Sequence, residues 1–277
     1  MKLLSFCIGN SERVGLLTEQ GVVDLTKRLN VKDIQDVFLI KTEIERLSEV
    51  SADFDLSMIQ YLPAVPRPKR ILCIGLNYRS HLKETGREAG PEPMVFTRFP
   101  SSQVGNGQPM IRPKVSDKFD FEGELAVVIG RECRYVSLND ALQVIGGYAC
   151  YNDGSIRDWQ KHTSQFIPGK NFPGTGAFGP WIVTPDEIGD ITRADLVTRL
   201  NGKEMQRAVI GDLVFNIPKL ISYCSTFTAL SPGDVIVTGT TGGVGAARNP
   251  PVWMKPGDVV EVEITGLGTL TNMIIDE

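Results

Sequence analysis

Paired cysteines, basic runs and long apolar stretches are all missing from this 277-residue chain. The five cysteines (Cys7, Cys73, Cys133, Cys150 and Cys224) are scattered and never form a Cys-x-x-Cys pair. Their spacing supports neither a zinc site nor a nucleophile, and they read as small core residues of a reducing compartment. No run of Lys and Arg interleaves with aromatics and the net charge is −4, so a nucleic-acid partner is not expected. No apolar stretch approaches the roughly 20 residues of a membrane-spanning helix. The apolar start, Met1 to Ile8, ends too soon for a signal peptide and is followed by Glu12 and Arg13, so it reads as a first β-strand of a cytoplasmic protein. There is no Gly-x-Ser-x-Gly elbow, and the glycine-rich loop from Gly239 to Gly245 lacks the Gly-Lys-Ser/Thr ending of a phosphate-binding loop. Asn249-Pro250-Pro251 blocks the helix that a nucleotide site would need after it.

What is present begins with Phe121-Glu122-Gly123-Glu124-Leu125-Ala126-Val127-Val128-Ile129. Alternate strand residues share a face, so Glu122 and Glu124 point the same way, while the apolar run beyond them suits a strand covered on both sides. Two adjacent carboxylates in a dry sheet repel each other and lose hydration, at a cost of several kcal/mol per ion, roughly. A hard divalent cation with oxygen ligands offsets that cost; a merely solvent-facing pair is the plainer alternative. A second strand, Gly146 to Tyr151, ends in Asn152-Asp153, and Asp153 is the candidate third ligand, with an Asx-type turn as the alternative. Three carboxylates leave open positions for water and substrate, as Mg²⁺ sites usually do.

His81 and His162 are the only histidines. His81 and Glu84 stand three apart on an expected helix, so the carboxylate can orient the imidazole as a general base, unless they are an incidental surface pair. His162 lies in a polar segment and reads as exposed or substrate-adjacent. Arg157, Gln160 and Lys170 follow Asp153 closely and could bind a carboxylate or steady an enolate. Thr240 offers a hydroxyl in the glycine loop, whose amides are expected to cradle a small anionic substrate.

The fold expected is α+β and β-rich. Residues 1–62 read as a small N-terminal α/β domain with strands at 3–8, 12–17 and 21–25 and a helix from Val31 to Val50. Residues 63–70, with Pro63, Pro66 and Pro68, read as a stiff linker, and 71–277 as the catalytic domain. Helices are expected near 79–86, 138–145 and 215–228, and Asn201-Gly202 marks a hairpin.

These motifs converge. Gly-Leu-Asn-Tyr with His-x-x-Glu (75–84), Phe-Glu-Gly-Glu-Leu-Ala-Val-Val-Ile-Gly (121–130), Tyr-Asn-Asp with Arg-Asp (151–158), Lys170, Phe178-Gly179-Pro180-Trp181, and Gly233-Asp234 with Thr238-Gly239-Thr240 resemble the fumarylacetoacetate hydrolase family over roughly residues 70 to 277. The resemblance implies a mixed β-sandwich roll, a Mg²⁺ or Mn²⁺ cofactor and a homodimer. It implies that Glu122, Glu124 and Asp153 hold the metal and that His81 and Glu84 form a dyad on a mobile lid. It further implies that Lys170 is the active-site lysine, that Thr240 binds substrate, and that Arg157 and Gln160 lie beside it. No acidic residue precedes His81 within 71–80, which points to the smaller, three-carboxylate branch. Thr241 stands where the loop usually has proline, and the Asp153–Lys170 connection and Pro250-Pro251-Val252-Trp253 are expected around the substrate's distal end. The implied activity is metal-dependent hydrolysis of a C–C bond in a 2,4-dioxo acid of acylpyruvate type, through a stabilised enolate. The alternatives are decarboxylation, tautomerisation or isomerisation of oxaloacetate-like or hydroxymuconate-type 2-oxo acids, a ureidoglycolate lyase, or an inactive small-acid-binding module.

Overall fold

The computed structural model describes residues 1–277. Its spine is a large mixed sheet whose strands run, in spatial order, Gly21–Asp24, Ser11–Thr18, Lys2–Ile8, Gly176–Val183, Ile145–Asn152, Gly123–Ile129, Val235–Thr240, Ile71–Gly75 and Met94–Thr97. Neighbours are antiparallel except Val235–Thr240 and Ile71–Gly75, which run parallel. A second sheet orders Lys203–Val209, Asp195–Leu200, Val259–Ile264, Gly268–Asp276 and Met110–Arg112. The result is the strand-rich α+β architecture anticipated from the sequence. No helix is long and apolar enough to cross a membrane.

The Gly123–Ile129 strand lies at the centre, buried at every position. Its odd-numbered Leu125, Val127 and Ile129 pack with Leu196, Val260, Val262 and Leu270 of the second sheet. Its even-numbered Ala126 and Val128 pack with Leu3, Ile34, Val37 and Ile44 of the N-terminal unit. Each of the Leu, Ile and Val side chains contributes about 1.5–3 kcal/mol on leaving water. The parity that buries Ala126 and Val128 carries Glu124 and Glu122 onto the same face, where the strand leaves the core. Gly123 faces the second sheet, and a Cβ there would lie 2.0 Å from Thr198 Oγ1, so only glycine lets the two sheets approach between the glutamates.

The N-terminal unit shares the large sheet. Lys2–Ile8 pairs with Gly176–Val183 in the register Lys2↔Val183, because its second edge would otherwise be unpaired. The proline-rich segment lies on that sheet instead of bridging a gap: Leu62 N–H donates to Ser5 O, and Ala64 N–H to Phe178 O. The helix expected from Val31 to Val50 is divided into a 3₁₀ turn, Ile34–Leu39, and a short α-helix, Lys41–Glu45. Ile34, Val37 and Ile44 are buried as the spacing implied, but Ile40, at φ −128° and ψ 34°, interrupts the helix between them. The 138–145 segment is likewise only a 3₁₀ turn, Ala141–Val144. Arg79–Thr85 and Ile217–Phe227 are helical, the latter with Asn216 capping the Lys219 amide and Pro218 in the first turn. Asn201 and Gly202, both at positive φ, make the hairpin turn.

Candidate active site

One ligand oxygen from each of Glu122, Glu124 and Asp153 falls within 4.8 Å of the others. All three residues are buried. The backbone enforces this meeting: Asp153 N–H donates to Glu122 O, Glu122 N–H to Asn152 Oδ1, and Gly123 N–H to Gln206 Oε1. The Asx-turn alternative for Asp153 is excluded, since its carboxylate oxygens accept from Arg98 and Lys170 and not from a following backbone N–H.

Cations crowd two of these carboxylates. Lys170 Nζ lies 2.6 Å from both Glu122 Oε2 and Asp153 Oδ2. Arg157 Nη1 lies 2.7 Å from Glu122 Oε1, and its Nε donates to Asp120 Oδ2 at 2.7 Å. Arg98, fully enclosed, gives Nη1 to Asp153 Oδ1 at 2.6 Å and to Gly154 O. Burial pushes the Glu122 carboxyl up, but Arg157 and Lys170 more than offset it and hold it well below the usual range. Burial works against the charge of Lys170 too, yet Asp153 and Glu122 raise its pKa and keep it protonated.

Glu124 has no such partner. Its one hydrogen bond is from Gly239 N–H at 2.6 Å, and burial, with Asp153 and Glu122 nearby, pushes its carboxyl well above the ordinary range. Four carboxylates (Asp120, Glu122, Glu124 and Asp153) face three cations (Arg98, Arg157 and Lys170), leaving one negative charge in excess. An all-oxygen cluster with an uncompensated buried carboxylate fits a hard divalent cation such as Mg²⁺ or Mn²⁺.

Glu122 and Glu124 open onto a cavity of about 370 Å³ that His81, Glu84, Arg157, Gln160, Lys170 and Thr240 also line, with Asp153 enclosed behind them. His81 Nδ1 is 3.0 Å from Glu84 Oε2. With Nδ1–H given to that carboxylate, Nε2 is left as the acceptor. Glu84 Oε1 in turn accepts from Gly243 N–H at 2.8 Å, so one carboxylate fixes both the imidazole and the glycine loop. Ser80 Oγ meets Thr241 Oγ1 at 2.9 Å, a contact that a proline at 241 could not make.

The cradle expected from the loop amides is corrected by the structure. Gly239 N–H goes to Glu124, Gly242 N–H to Ser80, Gly243 N–H to Glu84, and Gly245 and Ala246 N–H to Asp120. The nest is filled by the protein's own oxygens and serves to position carboxylates. The Thr240 hydroxyl is also engaged internally, donating to Gly123 O and accepting from Gln206 Nε2. Pro250-Pro251-Val252-Trp253 does not line the cavity. Val252 N–H donates to Gly245 O and braces the loop from behind. His162 is exposed and stacks on Trp159 outside the cavity.

Two residues escaped the sequence reading. Asp120 continues the parity of Glu122 and Glu124, a signal that was available. Arg98 follows the Met94–Thr97 strand, and nothing local distinguishes it from a surface arginine.

A buried oxygen-ligand cluster that could hold a divalent metal thus lies beside an oriented imidazole at the end of the central sheet. Residues 70–275 match the family described as fumarylacetoacetate (FAA) hydrolase, C-terminal, and the chain belongs to that family. It is 40% identical to the mitochondrial oxaloacetate tautomerase of Xenopus laevis over 79% of this chain and 69% of the relative. Among solved structures, it resembles the fumarylacetoacetate hydrolase of Exiguobacterium antarcticum, with a TM-score of 0.85, 31% identity and full coverage of both chains. It also resembles a maleylpyruvate hydrolase of Sphingobium sp. SYK-6 in complex with manganese(II) and pyruvate, with a TM-score of 0.83 and 27% identity, covering 100% of this chain and 99% of that one. Family members of these names are hydrolases and tautomerases of oxo acids.

Proposed function

We propose that this protein is a divalent-metal-dependent enzyme that carries a 2-oxo acid through its enol or enolate form. The observation that carries the reading is the meeting of Glu122, Glu124 and Asp153, the first two of which line the cavity that also holds the His81–Glu84 pair. A Mg²⁺ or Mn²⁺ ion on the three carboxylates would supply Lewis-acid polarisation of the substrate's carboxylate and 2-oxo oxygens. The chain's own residues do the rest. His81, oriented by Glu84, takes a proton through Nε2. Lys170 and Arg157 keep Glu122 ionised, and Lys170 and Arg98 clamp Asp153. Phe96, Phe166 and Ile74 line the cavity with apolar surface, which strengthens every charge interaction inside.

The proton's origin separates two finer readings. In tautomerisation of an oxaloacetate-like acid, His81 removes a proton from the carbon beside the 2-oxo group, and a proton returns to oxygen. The likeness to an oxaloacetate tautomerase at 40% identity favours this course. In hydrolysis of a 2,4-dioxo acid, His81 deprotonates water that adds to the 4-carbonyl, and the C3–C4 bond breaks to give an acid and the enol of pyruvate. The likeness to a maleylpyruvate hydrolase favours that one. We place tautomerisation first because the sequence likeness is closer.

The deciding experiment incubates Mn²⁺-loaded protein with oxaloacetate, acetylpyruvate, fumarylpyruvate and ureidoglycolate and identifies the products. Accelerated keto–enol exchange of oxaloacetate supports the first reading and pyruvate release from acylpyruvates the second. Metal binding with no turnover on any of them would leave only a small-acid-binding module. The homodimer implied by the family resemblance is checked by light scattering on the same preparation.

A further inference from the structure

Gly123 separates Glu122 from Glu124, and the approach of the second sheet dictates its identity. A Cβ there would lie 2.0 Å from Thr198 Oγ1. Glycine has the most backbone freedom to lose, so the link between the two carboxylates is intrinsically the loosest in the cluster. One neighbouring strand does little to tighten it. The pairing with Val235–Thr240 shifts register between Glu124 and Ala126, so the regular ladder is interrupted beside the pair.

Side chains stand in for the interrupted ladder. Thr238 Oγ1 donates to Leu125 O at 3.1 Å, and Thr240 Oγ1 to Gly123 O at 3.0 Å. Gln206 comes from the second sheet, where it stands opposite Thr198, so the gap that admits Thr198 over Gly123 admits the amide as well. Gln206 is 1% exposed. Its Oε1 accepts from Gly123 N–H at 3.0 Å, and its Nε2 donates to Thr241 O at 2.9 Å and to Thr240 Oγ1 at 2.8 Å. Three backbone groups fix every polarity in this network. A backbone N–H only donates and a carbonyl only accepts, so the amide cannot be flipped and the Thr240 hydrogen must go to Gly123 O. Arg248 ties the same hairpin to the glycine loop, with Nη2 on Met205 O at 2.6 Å and Nε on Gly243 O at 3.1 Å.

We infer that Gln206 and the Thr240 hydroxyl form a bracket on Gly123 that sets the spacing and aim of Glu122 and Glu124 for the metal. Gln206 is then a positioning residue. The Thr240 hydroxyl is a strut whose one hydrogen is committed inside the protein, not a donor to substrate. This rests on the reading of the carboxylate trio as the metal centre. The bracket holds Gly123 at both ends, its N–H through Gln206 and its O through Thr240, and the Gln206–Thr240 hydrogen bond joins the two holds into one unit. Loss of either member loosens the other. Metal affinity therefore falls by about ten- to a hundredfold when either is removed, the scale of hydrogen bonds that support metal ligands from outside. Removing both costs little more, because the two act as one.

The test uses the full-length protein and two calorimetric probes, Mn²⁺ alone and pyruvate on the Mn²⁺-saturated protein. Thr240→Val and Gln206→Met are each expected to weaken Mn²⁺ binding by about ten- to a hundredfold, and the double variant scarcely more than the weaker single. Thr240→Ser, which keeps the hydroxyl, is expected to retain the wild-type Mn²⁺ Kd. The pyruvate Kd is expected to stay unchanged throughout once metal is saturating. Weaker pyruvate binding in Thr240→Val with an unchanged Mn²⁺ Kd overturns the strut, since the hydroxyl then serves the substrate. Additive losses in the double variant overturn the bracket as one unit. Amide exchange at Gly123 in EDTA reads the bracket without metal, and it decides alone if Gln206→Met does not fold: faster exchange in Thr240→Val and the wild-type rate in Thr240→Ser support it, and an unchanged rate in Thr240→Val overturns it. If the wild-type protein binds no Mn²⁺ while that exchange pattern holds, the metal reading falls and the geometry of the bracket stands.

Discussion

Asp153, on the sheet side of the cavity, is gripped by two enclosed cations at 2.6 Å, whereas Glu84, on the helix that carries His81, touches no cation at all. Glu84 is held by one imidazole and one backbone amide. The sheet side is over-determined: each carboxylate of the trio sits on a strand or strand end that is buried and hydrogen-bonded. The helix side rests on fewer contacts, among them Ser80 with Thr241 and Gly242, Glu84 with Gly243, and Asn77 with Thr238, Val214 and Phe215. A rigid floor keeps three like charges together against their repulsion, whereas the helix is held by fewer contacts and is the side expected to open first. Within the floor, Glu122 and Glu124 repeat the contrast on one strand, since the first has two cations and the second has none.

The comparison breaks most visibly at His81. His81→Ala should lower kcat by about 10²- to 10⁴-fold while Mn²⁺ affinity stays unchanged, measured by steady-state kinetics and metal titration. If metal affinity fell with it, the two sides would not be separable. Arg98→Met attacks the floor alone. It leaves Asp153 with a buried oxygen that has lost its partner, and stability should fall by about 3–5 kcal/mol in urea unfolding. A loss below about 1 kcal/mol would show that the floor tolerates an unpaired charge, against the argument for its rigidity.

The contrast between Glu122 and Glu124 is sharpened by pH. Glu124 binds its proton more tightly folded than unfolded, so its contribution to stability declines as pH rises from the ordinary 4.5 toward its raised value. Glu122 does the opposite: its contribution is present above 4.5 and is lost as pH falls toward its depressed value. Melting curves in EDTA between about pH 4 and 7 should therefore show the Glu124 decline, which Glu124→Gln removes. Added Mn²⁺ should abolish the same decline and release a proton on binding. The smallest effect belongs to the helix. Thr241→Val removes one hydroxyl contact, and about 0.5–1.5 kcal/mol should be lost from the attached state. The readout is faster amide exchange over 79–85 with the Mn²⁺ Kd unchanged.

Much of this was legible in the residues. The Glu-x-Glu spacing fixes a shared face wherever the strand lies, and His81 with Glu84 at three residues fixes a shared helix turn, because both periodicities are local properties of the backbone. The unbroken apolar run to Ile129 announced a strand covered on both sides, and Asn201-Gly202 announced its hairpin. Asp120 was within reach of the same parity rule. The 31–50 helix was misjudged because apolar spacing records which residues are buried, not whether the backbone between them stays helical.

The sequence alone determined the members of the site that lie on one strand or one helix, and the face each presents. Only the tertiary structure decided that Asp153 meets the two glutamates, that Arg98 stands behind it, and that the loop amides are filled by Glu84, Glu124 and Asp120. Those contacts join residues far apart along the chain, and their partners are chosen by strand order and register, which no local spacing encodes.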